Sequence, residues 1–347
     1  MILIKDTGRK VDKIFHISDI HVYNYQRHEE YIEVFEKLYK IIEERMTPNS
    51  IIFLGGDIVH SKTNMSPELF SVVSNLLSTL CNMLPTIVIL GNHDLNLNNK
   101  TRLDALTPII NSLNLPTLHF LNETNVYKYE QIAFSLLHVK DKIENVIPAK
   151  SFDAETKILM YHGPVKNSAT AYGYLLEGNY LDVLNHADYD YILLGDIHKH
   201  QYLNLERTAA YPSSLIQQNF GEDLTHGIIE WDLNKKTSEF IKIASSNGYY
   251  TFKLKNDKVA EKIPGDLPYN LNVAITAENC TQEFIDSFCL ALEKKYNVLR
   301  IKKPKVTKFI IDNGKGEVSL DKENIIRDFE WRHSMLERYV QNELKQE

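Results

Sequence analysis

Five short stretches of the chain carry residues able to hold metal ions. Asp19 and His21 stand in SDIH, Asp57 in GGDIVH, and Asn92, His93 and Asp94 in GNHD. His162 stands in YHG, and His198 and His200 in GDIHKH. Imidazole suits Fe, Zn and similar ions, whereas carboxylate and amide oxygens suit harder ones such as Mn. A mixed set fits two-metal hydrolysis, with the ions about 3.5–4 Å apart and a hydroxide attacking phosphorus in line. Such a pair needs one carboxylate to bridge it, and Asp57 is the candidate. A nearby acid must stabilise or protonate the leaving oxygen. That work falls to His93, with Asp94 orienting its ring. Singly, each signal is weak, because a lone histidine more often packs or faces solvent than ligates. Five clusters in order are far harder to obtain by accident.

Each cluster follows an apolar run that reads as a strand: Ile14–Ile17, Ile51–Leu54, Thr86–Leu90, Ile158–Tyr161 and Tyr191–Leu194. In open α/β sheets the carboxyl edge is where ligands bind, so five strands are expected to deliver the clusters to the rim of one sheet. Amphipathic helices lie between them, one with Ile32, Phe35, Tyr39 and Ile42 on a face. Another starts at Pro67 and runs through Leu69, Val73, Leu76 and Leu80. Thr225 to Lys242 reads as a hairpin turning at Asn234–Lys236. Among the other histidines, His16, His119 and His138 sit in apolar surroundings and are expected to be structural. His28, His186, His226 and His333 read as surface or loop residues. His60, three residues after Asp57, is the exception and is a candidate for touching substrate phosphate.

Bulk properties narrow the field. At 347 residues the chain can hold one large α/β domain plus an appendage, and 43% hydrophobic with 24% charged residues is ordinary for a globular protein. A net charge of −7 argues against a strong non-specific nucleic-acid binder, although bound cations would offset acidic ligands. No apolar run approaches the roughly 18 residues of a bilayer span, and MILIKDTGRK carries no signal-peptide pattern, so a cytoplasmic location is expected. Cys81, Cys280 and Cys289 are odd in number and lack CxxC spacing, which argues against a disulfide framework or a cysteine zinc site.

After Ser246–Gly248 the character changes. Tyr250–Leu254 and Leu271–Ile275 read as strands, Phe284, Phe288 and Leu292 mark a helix, and Val298–Ile301 reads as a further strand. From Leu290 to Ile311 seven lysines and arginines face the single acid Glu293, a candidate DNA phosphate track. Beyond Gly314 and Gly316, Ile325, Phe329, Leu336 and Val340 form a helical stripe. The expected division is 1–248, 249–311 and 312–347.

The order DxH, GD, GNHD, H and GDIHxH resembles the calcineurin-like metallophosphoesterase superfamily over residues 13–245. The resemblance implies a layered α/β sandwich of two mixed sheets flanked by helices. It also implies one metal on Asp19, His21, Asp57 and His200, and a second on Asp57, Asn92, His162 and His198, with His93 catalytic. The segment YPSSLIQQNFGED followed by HGIIEWDL is similar to that of SbcD-type DNA-repair exonucleases, relatives of which are the recombination endonuclease subunits of large phages. Those enzymes read Y-x-G-S where this chain has Ser213 and Ser214, and DIHVY departs from their DxHLG. Their layout implies a small α+β capping domain at 249–311 and a helical tail at 312–347 that binds an SbcC-type, SMC-like coiled-coil ATPase. It further implies a homodimer joined through helices such as 67–84 and 101–113.

The leading expectation is thus a Mn-dependent DNA exo/endonuclease subunit, in the host cytoplasm if phage-encoded. The rivals are a stand-alone phosphodiesterase or phosphatase on nucleotides or small phosphoesters, and a catalytically silent scaffold. The intact ligand set argues against a silent scaffold. A capping-like module and apolar tail, which a small phosphatase would not need, argue against the stand-alone enzyme.

Overall fold

The computed structural model describes residues 1–304 except 100 and 172. The expected tail at 312–347, the end of the expected cap at 305–311, and His333 lie outside the described residues.

The first half supplies strands β1 (Ile2–Lys5), β2 (Lys13–Ile17), β3 (Ser50–Leu54), β4 (Thr86–Ile89), β5 (Leu118–Leu121), β6 (Asn125–Tyr129) and β7 (Ile132–Leu137). Then come β8 (Thr156–His162), β9 (Tyr191–Gly195), β10 (Gln201–Tyr202), β11 (Ala209–Tyr211), β12 (Gly227–Asp232) and β13 (Thr237–Lys242). Two mixed sheets result. One has six strands in the order β13-β12-β2-β3-β4-β5, and the other seven in the order β1-β6-β7-β8-β9-β11-β10. Strands β2, β3 and β4 are parallel neighbours and buried at nearly every position, as interior parallel strands must be.

Side chains alternate between faces, and the two faces build separate cores. Ile14, Phe53 and Ile87 point into a layer shared with Phe134, Ile158, Met160 and Trp231, where the sheets meet. Phe15, Ile52, Leu54 and Val88 point instead toward the helices α1 (His28–Arg45), α2 (Pro67–Met83) and α3 (Leu106–Leu113). In α2 the Ser66 hydroxyl accepts from Leu69 N and Pro67 opens the first turn, so the expected start and stripe are found. In α1 the buried stripe is Tyr31, Val34, Phe35, Leu38 and Ile42, while Ile32 is 49% exposed. The expected face was therefore rotated by about one residue, because charged neighbours on both sides left the phase ambiguous.

The clusters do not line the edge of one sheet. Those after β2, β3 and β4 come from the six-stranded sheet, and those of β8 and β9 from the seven-stranded sheet packed against it. The rim is shared because both sheets turn their parallel carboxyl ends to the same side, with His162 registered against Gly195.

A third sheet follows, from β14 (Asn247–Lys255), β15 (Lys258–Val259), β16 (Asn270–Glu278) and β17 (Asn297–Lys302), in the order β15-β14-β16-β17. Helix α4 (Gln282–Lys295) makes the crossover between parallel β16 and β17, and its Ile285, Cys289 and Leu292 pack on Phe252, Leu271 and Val273. Of the basic run, Lys303 is committed to Asp286 at 2.7 Å. Among the described residues no helix is long and apolar enough to cross a membrane.

Candidate metal centre

The six-stranded sheet delivers its clusters through two adjacent strained turns. Asp19, His21 and Asp57 all have φ between 51° and 53°, in the left-handed region. Each such non-glycine residue costs on the order of 1–3 kcal/mol and persists only where its surroundings over-determine it. Here a ladder does so: Asp19 N donates to Gly56 O, His21 N to Asp57 O and Val22 N to Ile58 O, all at 2.9–3.1 Å. The Tyr31 hydroxyl also donates to His21 O. The backbone of Gly91 lies so close that a methyl there would collide with Asp57 Oδ1. His93 N donates to that same oxygen at 2.7 Å. Asp57 Oδ2 is then left 3.5 Å from His21 Nε2 and 3.4 Å from His162 Nε2, between two imidazoles. This is the placement a bridging carboxylate requires.

The seven-stranded sheet supplies the rest. His162 Nδ1 donates to Gly55 O at 2.7 Å, turning Nε2 toward Asn92 Oδ1 at 3.1 Å and Asp196 Oδ1 at 4.0 Å. His198 Nδ1 donates to Glu222 at 2.8 Å, turning Nε2 toward His21 Nε2 at 2.9 Å and Asp19 Oδ1 at 3.7 Å. Two donor groups emerge: Asp19, His21 and His198 form one, and Asp19, Asp57 and His162 the other. Asn92 and Asp196 lie beside His162 in the second.

The expected ligands Asp19, His21, Asp57, Asn92, His162 and His198 are thus brought together, but His200 is not. Its Nδ1 bonds Tyr211 O at 3.0 Å and its ring stacks on Phe240 at 4.0 Å. After His198 the chain turns into β10, so the two-residue spacing carries no further along the rim. Asp196 lies nearer, with Oδ1 4.0 Å from His162 Nε2 and its N donating to the Asp19 carboxylate at 3.0 Å. The division implied by the resemblance changes accordingly, with His198 falling in the group of Asp19. Asp94 does not orient His93 either. Its fully buried carboxylate accepts from Val59 N and Gly91 N, and the His93 ring is held by His60 O, 2.6 Å from Nδ1. His60 stacks on Tyr23 with its centroid 5.3 Å from that of His93, at the edge of the cluster. His226, expected at the surface, is buried against Ser214. Ser213 has φ 101°, a backbone conformation that favours glycine.

The donors fit a pair of cations. Among the described residues no lysine or arginine pairs with Asp19, Asp57 or Asp196, while imidazole nitrogens point at one another and at buried carboxylates. His21 Nδ1 finds no partner. Burial holds His21 neutral, well below the usual imidazole range. Burial also raises Asp196 to about 6, against the pull of His162. Asp57 goes the other way: burial would raise it, but His162 and His21 hold it low. Asp94 is pushed to about 7 by burial and by the charge on Asp57. Divalent cations would relieve this crowding of like groups.

Sequence comparison agrees with the geometry. The family model described as Calcineurin-like phosphoesterase matches residues 12–200. An uncharacterized protein, R555, of Acanthamoeba polyphaga mimivirus is 40% identical over 311 residues, covering 86% of this chain and 23% of the viral protein. The chain therefore spans less than a quarter of that relative's length.

Proposed function

The chain belongs to the calcineurin-like phosphoesterase family, whose members hydrolyse phosphoesters with divalent metal ions, and from that premise we propose that it cuts DNA. In this reading it is the Mn-dependent exo/endonuclease subunit of an SbcCD-like repair or recombination complex. Asp19, His21 and His198 would hold one cation and Asn92, His162 and Asp196 the other, with Asp57 available to both. The observation that carries the metal assignment is Asp57 Oδ2 between His21 Nε2 and His162 Nε2. Cations bound there would supply Lewis acidity toward phosphoryl oxygens and acidify a water. The mixed oxygen and nitrogen donors suit Mn.

The protein's own groups do the rest. With His93 Nδ1–H committed to His60 O, Nε2 is the atom that shares a proton with the leaving oxygen. His60, on the same side, offers its ring edge to a phosphate. Asp94 fixes the loop that carries Asn92 and His93 through its two backbone bonds.

Support for DNA over a small phosphoester lies beyond the rim. The third sheet, read as the capping domain, begins directly after the phosphoesterase part. Its Lys294, Lys295, Arg300 and Lys302 are candidates for phosphate contacts. The coiled-coil ATPase partner and the homodimer belong to the same reading. An assay on linear duplex and single-stranded DNA, with and without Mn, using wild type and His93→Ala, tests it. Mn-dependent cleavage by wild type alone is expected. Hydrolysis of small phosphodiesters with both DNAs left intact, even with an SbcC-like ATPase added, overturns it.

A further inference from the structure

Glu222 is a buried carboxylate that touches none of the central carboxylates. Its Oε1 accepts from His198 Nδ1 at 2.8 Å and from Asn219 Nδ2 at 2.9 Å. Its Oε2 accepts from Gln218 N at 2.7 Å and from Ser214 Oγ at 3.3 Å, with His226 Nε2 3.8 Å away. Among the described residues no lysine or arginine pairs with it. A buried carboxylate is expensive unless hydrogen-bonded, and this one is bonded from four directions. Only one of those bonds leads to the rim.

We infer that Glu222 is a positioning residue for one cation of the pair, acting through His198, and that the loop carrying it ties this ligand to the third sheet. The inference rests on the metal reading above. The bond to Glu222 fixes a proton on His198 Nδ1 and aims Nε2, the atom a metal would use once its own proton leaves, at Asp19 and His21. A carboxylate acceptor also makes the ring a stronger donor to a metal than a carbonyl does, and such outer partners typically contribute about 10–100-fold in metal affinity. His162 shows the contrast, since its Nδ1 donates only to Gly55 O.

The loop itself is clamped. Gln217 Nε2 donates to Glu222 O at 2.9 Å and to Tyr249 O at 3.0 Å, while its Oε1 accepts from Tyr249 N at 2.7 Å. One side chain thus pairs with β14 as a neighbouring strand would. On the other side Arg27 donates to Gln217 O at 2.6 Å and lies over the Tyr249 ring at 5.4 Å. A shift of β14 would pull on Gln217, and through Glu222 on His198.

The test is a Mn titration of the full chain by calorimetry and EPR, on wild type, Glu222→Gln, Glu222→Ala and Gln217→Ala, with cation-free melting as a folding control. Wild type is expected to take up two Mn. Glu222→Ala should weaken one ion about 10–100-fold and leave the other within about threefold. Glu222→Gln, which keeps an acceptor but not the charge, should fall between, and Gln217→Ala should weaken the same ion least. In the cation-free protein above about pH 9, nitrogen NMR of His198 should report the Nδ1–H form in wild type, Gln217→Ala and Glu222→Gln, and lose that preference in Glu222→Ala. Equal loss of both ions, or loss of neither, in the soluble, folded Glu222→Gln protein overturns the inference. Failure of wild type to bind a pair of Mn overturns the metal reading itself, and this inference with it.

Discussion

The two halves of the rim reach the same place by different means. On the six-stranded sheet, Asp19, His21 and Asp57 follow their strands by two to four residues and take positive φ. Backbone bonds between the two turns hold them. On the seven-stranded sheet, His162 is the last residue of β8 and takes its orientation from a neighbouring strand's carbonyl. His198 lies beyond β9 and leans on a side chain 24 residues away. Asp19, His21, Asp57 and His162 are thus aimed by backbone bonds, whereas His198 is aimed by a side-chain partner. Asp57, the proposed bridge, stands on the most constrained side.

Breaking that constrained centre should have the largest effect. Asp57→Ala removes the oxygen shared by both groups. The loss of several kcal/mol of charge stabilisation should lower phosphodiester hydrolysis by at least about 10³-fold. Calorimetry should show neither Mn ion bound with its original affinity, and retention of both would remove Asp57 from the bridging role. His93→Ala should cost about 10²–10⁴-fold in kcat, yet a Mn titration should still find two ions. Parallel loss of metal would make His93 a ligand instead of a proton carrier.

A sharper comparison sets Asp196 against His200. Asp196→Ala should weaken one ion by about 10–100-fold, the scale of losing one support to the site. His200→Ala should leave metal uptake unchanged and lower thermal stability, because its ring stacks on Phe240. Asp196→His should tilt preference from Mn toward Zn, since an imidazole replaces a hard oxygen. Competition of Zn against Mn reads this directly, and the reverse pattern for 196 and 200 would restore His200 as a ligand.

Much of the site was legible because its residues sit where strands end. An apolar run followed by DxH, GD or GNHD states both the element and the edge. What failed was reasoning that carried a spacing past the point where the backbone turns. His200 shares the i, i+2 interval with His198, but Gln201 and Tyr202 pair with β11 and redirect the chain. Asp196 lay in plain view within GDIHKH and was passed over because its neighbours were histidines. Glu222 carried no local signal, as its bond to His198 exists only in the folded chain. The second sheet was legible only through the family resemblance: strands β6 and β7 carry no chemistry, and nothing local says that β8 packs across from β2.

The smallest expected effect is a matter of protons. His198 is pulled down by burial, but the bond to Glu222 and the charge on Asp19 outweigh this and raise it to about 9. Its folded pKa lies above the unfolded value near 6.5, so the pairing stabilises the cation-free protein fully below that value. The contribution fades as pH rises through about 9. A metal needs the same ring deprotonated at Nε2, so binding must expel this proton throughout that range. Affinity for the ion on His198 should therefore rise about tenfold per pH unit from pH 7 to 8 and level off above 9. The ion on His162 titrates separately, through a histidine whose charge is held by Asp57, Asp19 and Asp196 against burial. In Glu222→Gln the plateau for the first ion alone should move to lower pH. A plateau that stays in place would mean that the carboxylates at the rim, and not the partner behind the ring, set the proton affinity of His198.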